Sequence, residues 1–209
     1  MADMTMWHPV ALGADIPAGT VAPVRLHGDE VVLWRDEAGI LHAWEDRCPH
    51  RGMRLSFGFV RKGRLACLYH GWQFDGEGRC RHIPAHPDLS PPGTIRARTW
   101  RADEAHGFVW LAHDGSESLP AMKDGAFTAA RSIAIESARG TVAAALGIGQ
   151  DPVLSRDGLI CAVHAADGET TMLHVAVANP ADAADAALWA QRTRDSIERG
   201  EAVAWELHL

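Results

Sequence analysis

The sequence predicts an α+β protein in two parts: an antiparallel β domain over residues 1–116 and a small α+β domain over residues 117–209. Three observations predict it. The first part consists of short apolar runs separated by turn residues, such as the Asp75-Gly76 pair. A polar segment that ends at Pro120 follows. Beyond it, alanine becomes abundant and one long segment carries helix signals.

The strands of the first part are predicted one after another along the chain. Residues 20–26, 30–36 and 40–46 are apolar-rich runs bounded by turn residues, and each predicts a strand. Residues 94–100 alternate with a period of two, which is typical of a half-buried strand. Residues 107–112 are almost continuously apolar and predict a fully buried strand.

The second part mixes strand and helix signals. Residues 131–137 predict a strand, and residues 158–167 and 170–179 predict a buried hairpin. A helix is expected to begin after Asn179, a good N-cap, and to end at Gly200. At helical spacing, one face of that helix carries Ala186, Trp189, Ala190, Thr193 and Ile197.

Composition and charge argue against several kinds of binding partner and cellular location. The formal net charge is −7 without a Lys/Arg run, so neither nucleic acid nor an anionic membrane surface is an expected partner. No stretch approaches the roughly 20 apolar residues that span a bilayer. The first residues lack the features of a secretion signal, so we expect a cytoplasmic protein. Four cysteines are too few for a disulfide framework, which favours metal ligation instead.

Two short segments combine cysteine with histidine. Cys48-x-His50 is followed, after sixteen residues, by Cys67-x-x-His70. Two thiolates and two imidazoles suit either structural zinc or an iron–sulfur cluster. Each segment contributes one donor of each kind, which favours two irons, one with two thiolates and the other with two imidazoles. Zinc remains the alternative. The other two cysteines, Cys80 and Cys161, have no histidine at ligand spacing and are predicted to be small buried hydrophobes.

The segments "CPHRGMRLS" and "CLYHGWQFDGEGRCRHIPA" resemble the cluster loops of Rieske-type ring-hydroxylating oxygenases and vanillate-demethylase-like α subunits. The resemblance covers about the first 115 residues and implies an antiparallel β Rieske domain like that of the respiratory iron–sulfur protein. It further implies a Rieske [2Fe–2S] cluster held by Cys48, His50, Cys67 and His70. Leu68 departs from the family, which commonly has proline there, but this change leaves the four ligands intact.

The resemblance also bears on the redox potential. High-potential respiratory Rieske proteins carry an extra disulfide between the two loops, for which this chain has no cysteines. Trp72 stands where those proteins usually have serine. We therefore expect an oxygenase-type cluster of low potential, within the range of about −150 to +300 mV that Rieske centres span.

Oxygenases of this family have a second domain with a mononuclear iron, held by two histidines and a carboxylate. Beyond residue 120 the chain has only His164, His174 and His208. His164 and His174 could form such a triad with Asp167, or they could be strand histidines with ordinary hydrogen bonds. A further possible metal site in the first part is the set His82, His86 and Asp88. The second part as a whole resembles a truncated oxygenase catalytic domain.

Three functional hypotheses follow. In the leading one, the protein is an electron-transfer component or accessory subunit of a multicomponent Rieske oxygenase. It would then receive electrons from a flavin- or ferredoxin-type reductase and pass them to a mononuclear iron on an oxygenase α subunit, with which it could form a hetero-oligomer. The second is a self-sufficient, divergent Rieske oxygenase that uses His164 and His174. The third is a redox sensor or structural subunit. The sequence leaves the substrate open.

Overall fold

The computed structural model describes residues 6–112, 119, 126–149 and 151–205. The predicted domain boundary between residues 116 and 117 lies outside these residues and stays a prediction. No helix in the described part of the chain is long and apolar enough to cross a membrane.

Ten strands precede residue 113, and they form three antiparallel sheets. The sheets have the orders β1-β10-β9, β2-β3-β4 and β5-β6-β7-β8. In chain order the strands are β1 (His8–Leu12), β2 (Val21–Leu26), β3 (Asp29–Arg35), β4 (Leu41–Glu45), β5 (Phe59–Arg61), β6 (Arg64–Ala66), β7 (Gln73–Phe74), β8 (Cys80–His82), β9 (Arg101–Ala105) and β10 (Phe108–Ala112).

A fourth antiparallel sheet and two helices are found in the described residues of the second part. The sheet has the order β11-β14-β13-β12, so the hairpin strands β13 and β14 lie at its centre. Its elements are β11 (Thr128–Ile135), α1 (Arg139–Leu146), β12 (Val153–Arg156), β13 (Leu159–Ala165), β14 (Thr171–Val177) and α2 (Ala183–Glu198). The predicted α+β class is confirmed.

Strand β10 is buried on both faces, which explains its continuously apolar sequence. Val109 and Leu111 pack towards the β2-β3-β4 sheet. Phe108 and Trp110 point the opposite way, into a cluster that also holds Ile160 of β13. The sheet that contains β10 is therefore covered on one side by β2-β3-β4 and on the other by the second part's sheet. The helices α1 and α2 cover the far face of that last sheet.

Strand β3 is also buried on both faces. One face packs towards strands β1 and β10, and the other packs towards Cys48 and Cys67. Its residues Val31 and Leu33 pack on the β1-β10 side. Val32 and Trp34 pack on the opposite side, in one cluster with Cys48 and Cys67. Strand β3 thus lies between two apolar clusters, and the second of them includes the two thiols.

Most elements appear where the sequence predicts them, with the following differences. Residues 94–100 form only isolated bridges at Arg96 and Thr99, and the continuous strand begins at Arg101. The last helix is preceded by a 3₁₀ turn, Pro180–Asp182, whose Ala181 N–H donates to the Asn179 side chain. The face predicted to be apolar is buried throughout. The helix α1 is a further element that the sequence did not indicate.

Candidate metal centre

The first loop, between β4 and β5, is closed by its own backbone. The N–H of Cys48 donates to the carbonyl oxygen of Met53 at 2.8 Å, and the N–H of Gly52 donates to the carbonyl oxygen of Cys48 at 2.8 Å. Gly52 has φ of +73°, in the left-handed region that a glycine adopts without steric penalty. The loop therefore turns sharply and presents His50 at its tip.

The second loop, between β6 and β7, repeats this pattern. The N–H of Cys67 donates to the carbonyl oxygen of Trp72 at 2.9 Å, and the N–H of Gly71 donates to that of Cys67 at 3.0 Å. Gly71 has φ of +68°. The two loops thus share one local geometry, although their histidines stand two and three residues after the cysteine.

A buried carboxylate fixes the base of the first loop. Asp46 is only 3% exposed. One of its oxygens accepts from the Ser56 backbone N–H at 2.7 Å, and the other accepts from the Ser56 hydroxyl at 2.6 Å. These two bonds connect the residues at the two ends of the loop, so Cys48 and His50 sit on a tethered segment. Sequence reasoning did not find this pair, because nothing in the spacing indicates that Asp46 and Ser56 meet.

The two thiols lie side by side under the loops. Cys48 and Cys67 are each 2% exposed and belong to one apolar cluster with Trp44 and Phe74. Burial raises the pKa of the Cys48 thiol to about 12, and the adjacent Cys67 acts in the same direction. The backbone N–H groups of His50 and Arg51 oppose this shift by donating to the sulfur. A cation is therefore needed to hold the Cys48 sulfur as a thiolate at neutral pH.

The two imidazoles lie side by side above the thiols, nearer the surface. The ring centroids of His50 and His70 are 4.7 Å apart. Trp72 stacks on His50 at 4.1 Å, and Tyr69 covers His70 at 3.8 Å. His50 is half-buried and His70 is exposed. Burial lowers the pKa of His50, and His70 and Arg51 add to the effect, which keeps the imidazole neutral and able to bind a metal.

This arrangement suits two metal ions better than one. Structural zinc gathers four ligands around a single ion. Among the residues that the structure describes, no three or more His, Cys, Asp or Glu side chains surround a common ion position. A Rieske cluster does not require all four side chains to surround one ion, because each of its two irons takes only two protein ligands. Two adjacent thiols beneath two adjacent imidazoles meet that requirement.

Comparison with known families agrees with this geometry. Residues 6–96 match the family model described as the Rieske [2Fe-2S] domain. These residues form a Rieske domain. A domain of this family binds a Rieske-type 2Fe–2S cluster, so the cofactor predicted from the sequence is confirmed. The match ends at residue 96, inside the antiparallel part of the fold.

Curated relatives match just over half of the chain. The oxidoreductase NdmD of Pseudomonas putida is 44% identical over 109 residues, which are 52% of this chain and 18% of NdmD. The 4beta-methylsterol monooxygenase of Methylococcus capsulatus is 44% identical over 123 residues, which are 57% of this chain and 32% of that protein. The chain therefore spans less than a third of the length of either relative.

A solved structure extends the likeness to the second part. Apo dicamba monooxygenase superposes with a TM-score of 0.73 at 17% sequence identity, covering 95% of this chain and 86% of that one. At this identity the likeness shows the fold alone. The second part therefore shares its fold with a Rieske oxygenase.

The two strand histidines of the second part bind each other. Nε2 of His174 lies 3.2 Å from Nδ1 of His164, and Nε2 of His164 donates to the Arg25 carbonyl oxygen at 3.0 Å. Nδ1 of His174 lies 2.9 Å from the Ser132 hydroxyl. Both side chains are buried at the contact between the Rieske domain and the second part. All four ring nitrogens are thus engaged in hydrogen bonds.

The remaining residues of the two alternative metal sites, Asp167 in one and His82, His86 and Asp88 in the other, do not form a metal site in the described part of the chain. The Asp167 carboxylate accepts from Arg25 and from the backbone N–H groups of Glu169 and Thr170, in the turn after β13. His82 lies half-buried on β8, whereas His86 and Asp88 are exposed in the following loop. His208 lies outside the described residues. Cys80 and Cys161 are buried, as the sequence predicted.

Gly71 is the more sensitive of the two loop glycines. A Cβ at Gly71 would lie 3.0 Å from Cγ of Pro84, whereas a Cβ at Gly52 would meet only the flexible Arg47 side chain, at 3.4 Å. Both Gly→Ala changes cost about 1–2 kcal/mol for the left-handed backbone. We expect Gly71→Ala to lower the iron content and the melting temperature more than its matched control, Gly52→Ala. Equal effects of the two changes would contradict the role of Pro84.

The buried histidine pair makes stability depend on pH. Burial lowers the pKa of His164 to about 4 and that of His174 well below its ordinary value. Since the unfolded chain binds these protons near pH 6.5, the stabilisation is complete above that pH and is lost as the pH falls towards 4. For His164 the loss is on the order of 3 kcal/mol.

Urea unfolding at pH values from 7 to 4 measures this loss. We expect His164→Gln to flatten the pH profile of the unfolding free energy, whatever its effect at pH 7. The exposed loop residue His86 supplies the control, and His86→Gln should leave the profile parallel to that of the unchanged protein. A parallel profile for His164→Gln would contradict the assignment.

Proposed function

We propose that the protein is a Rieske electron-transfer component or accessory subunit of a multicomponent oxygenase. One observation carries the proposal: His50 and His70 lie side by side at the surface above two buried cysteines. When bound, the 2Fe–2S cluster supplies a centre that gains and loses one electron at a time. Histidines at the surface bring such a centre within reach of a partner protein's redox group.

We propose Cys48 and Cys67 as the ligands of one iron and His50 and His70 as the ligands of the other. The paired burial of the thiols and the pairing of the rings support this division. The aromatic side chains Trp72 and Tyr69 hold the rings in place and exclude water from one face of each. The loop backbone and Asp46 fix the separation of the ligands.

The proposed partners are a flavin- or ferredoxin-type reductase and an oxygenase α subunit that carries a mononuclear iron. Several relatives of the Rieske domain are named as oxygenase components or subunits, which supports a place in such a system. We propose the cytoplasm as the compartment, because the four cysteines form no disulfide bond, as is usual in a reducing environment.

A second candidate is an oxygenase that is active by itself. The fold shared with dicamba monooxygenase over 95% of the chain favours it. The hydrogen bonds of His164 and His174 to each other and to their neighbours oppose it, because an iron would have to displace them. The electron-transfer role therefore stands first.

The ligand assignment predicts unequal effects for two buried cysteines. Cys48 and Cys80 lie in the same apolar cluster, but only Cys48 is a proposed ligand. We expect Cys48→Ser to abolish the visible absorption of the cluster and the bound iron. Cys80→Ser should retain two irons per chain with lower thermal stability. Retention of a complete cluster in Cys48→Ser, measured by iron and sulfide analysis, would refute the assignment.

The electron-transfer role is tested with the purified holoprotein. We expect two irons per chain, a midpoint potential in the lower part of the Rieske range, and oxidation of the reduced form by an oxygenase catalytic subunit. The control is the same mixture with the Cys48→Ser protein, which should transfer no electrons. A third iron per chain, together with substrate turnover that needs only a reductase and oxygen, would establish the second candidate instead.

A further inference from the structure

A cleft of roughly 420 Å³ opens beside His50 and is lined by arginines from two separate segments. Arg47 and Arg51 belong to the first cluster loop, whereas Arg96 and Arg98 belong to the segment before β9. All four side chains are exposed. We call this surface, formed by Arg47, Arg51, Arg96 and Arg98 next to His50, the arginine cleft. Glu45 is the one acidic side chain in its lining.

The positive charges of the arginine cleft are not neutralised by carboxylates in the described part of the chain. None of its four guanidinium groups lies within ion-pair distance of a carboxylate there. Other arginines of the same domain are paired: Arg35 with Glu104, and Arg81 with Asp75. Like charges that gather without partners raise the electrostatic potential of a surface and attract anions.

The cleft lies in a cationic part of an anionic protein. Residues 47–98, which contain both cluster loops, carry ten Lys and Arg side chains against three Asp and Glu. Their net charge of +7 contrasts with −14 for the remaining residues, which together give the chain its −7. The segment that contains the cluster ligands is therefore the cationic part of the chain.

We propose that the arginine cleft docks the electron donor, an acidic redox protein that presents carboxylates around its own redox centre. This inference rests on the proposed electron-transfer function and names the chemistry of one partner. An anionic donor would be steered to the unpaired arginines of the cleft and would bind within reach of His50.

The chemistry of the cleft favours a donor over a permanently bound subunit. Weak redox encounters use small, polar surfaces, whereas stable subunit contacts are larger and more apolar. The cleft is open and charged, with Pro49 and Ala97 among its few apolar members. The exposed apolar side chains near the ligands, Leu68 and Tyr69, belong to the other loop. The two loops thus differ in what they offer a partner.

Stopped-flow reduction of the holoprotein by a reduced, acidic plant-type ferredoxin tests the proposal. We expect the second-order rate constant to fall as ionic strength rises. The double variant Arg96→Gln/Arg98→Gln should lower that constant about tenfold at low ionic strength. The matched control is Arg131→Gln/Arg192→Gln, which also removes two positive charges, but from exposed positions outside the cleft. It should change the rate constant less than twofold.

Each other outcome overturns the donor assignment. Equal rate constants for the two double variants, or no dependence on salt, would show that the cleft does not steer the donor. A holoprotein that photoexcited deazaflavin reduces but the ferredoxin does not would exclude an acidic carrier. Slower reoxidation by an oxygenase subunit with normal reduction would assign the cleft to the acceptor. A cleft variant with an altered molecular mass in solution would assign it to a second copy of the chain.

The proposed function fails separately from this inference. It fails when a fully reduced protein transfers no electrons to any oxygenase subunit, irrespective of how it was reduced. The inference fails when substitutions in the cleft do not change the rate constant of reduction, even if electron transfer to the oxygenase subunit is normal. The cluster's absorption and midpoint potential, measured in both double variants, should match those of the unchanged protein and show that the cluster itself is intact.

Discussion

Cys48 and Cys67 are packed into the same apolar cluster as Trp44 and Phe74, and the rest of the site depends on that shared packing. Two loops that are nineteen positions apart in the chain can offer ligands to one cluster only if their separation is fixed. The common core fixes it from below. The backbone bonds within each loop, and the Asp46–Ser56 pair at the base of the first, then fix the direction in which each histidine points.

The same packing divides the site chemically. The thiols lie where water is excluded, and there the pKa of Cys48 is raised so far that only a cation can hold it as a thiolate. The imidazoles lie at the surface, covered on one face by Trp72 and Tyr69. A centre that is anchored inside and reached from outside suits electron exchange between proteins. The arginine cleft then adds a preference for the sign of the partner's charge.

The second part of the chain is attached to the Rieske domain through a buried contact. Strands β1 and β10 pack on β13 and β14 there, and His164 and His174 lie in the same contact. The carbonyl of Arg25, which belongs to β2, accepts from His164. His164 and His174, which the sequence offered as candidate iron ligands, thus connect the second part to the Rieske domain. Their neutral rings serve that connection at neutral pH, because a charge at this position would lack solvation.

The cofactor and most strands of the Rieske domain could be predicted from the sequence, and the sequence also supplied the candidate ligands. These features are local: a cysteine, a histidine and a turning glycine within five positions define each loop, and runs such as residues 107–112 reveal burial by composition alone. The alternating residues 94–100 also looked like a strand, but they found only isolated bridging partners. Strand formation needs a neighbour, which a local pattern does not reveal.

The way in which distant residues combine depends on the fold. The sequence shows no run of basic residues, yet folding brings arginines from two segments, more than forty positions apart, into one cleft. It likewise joined Asp46 to Ser56 and His164 to His174. Such contacts depend on strand order and packing, which bring together residues without a fixed spacing in the chain. The sequence therefore determined which metal chemistry the protein can support, and the fold decided what surrounds it.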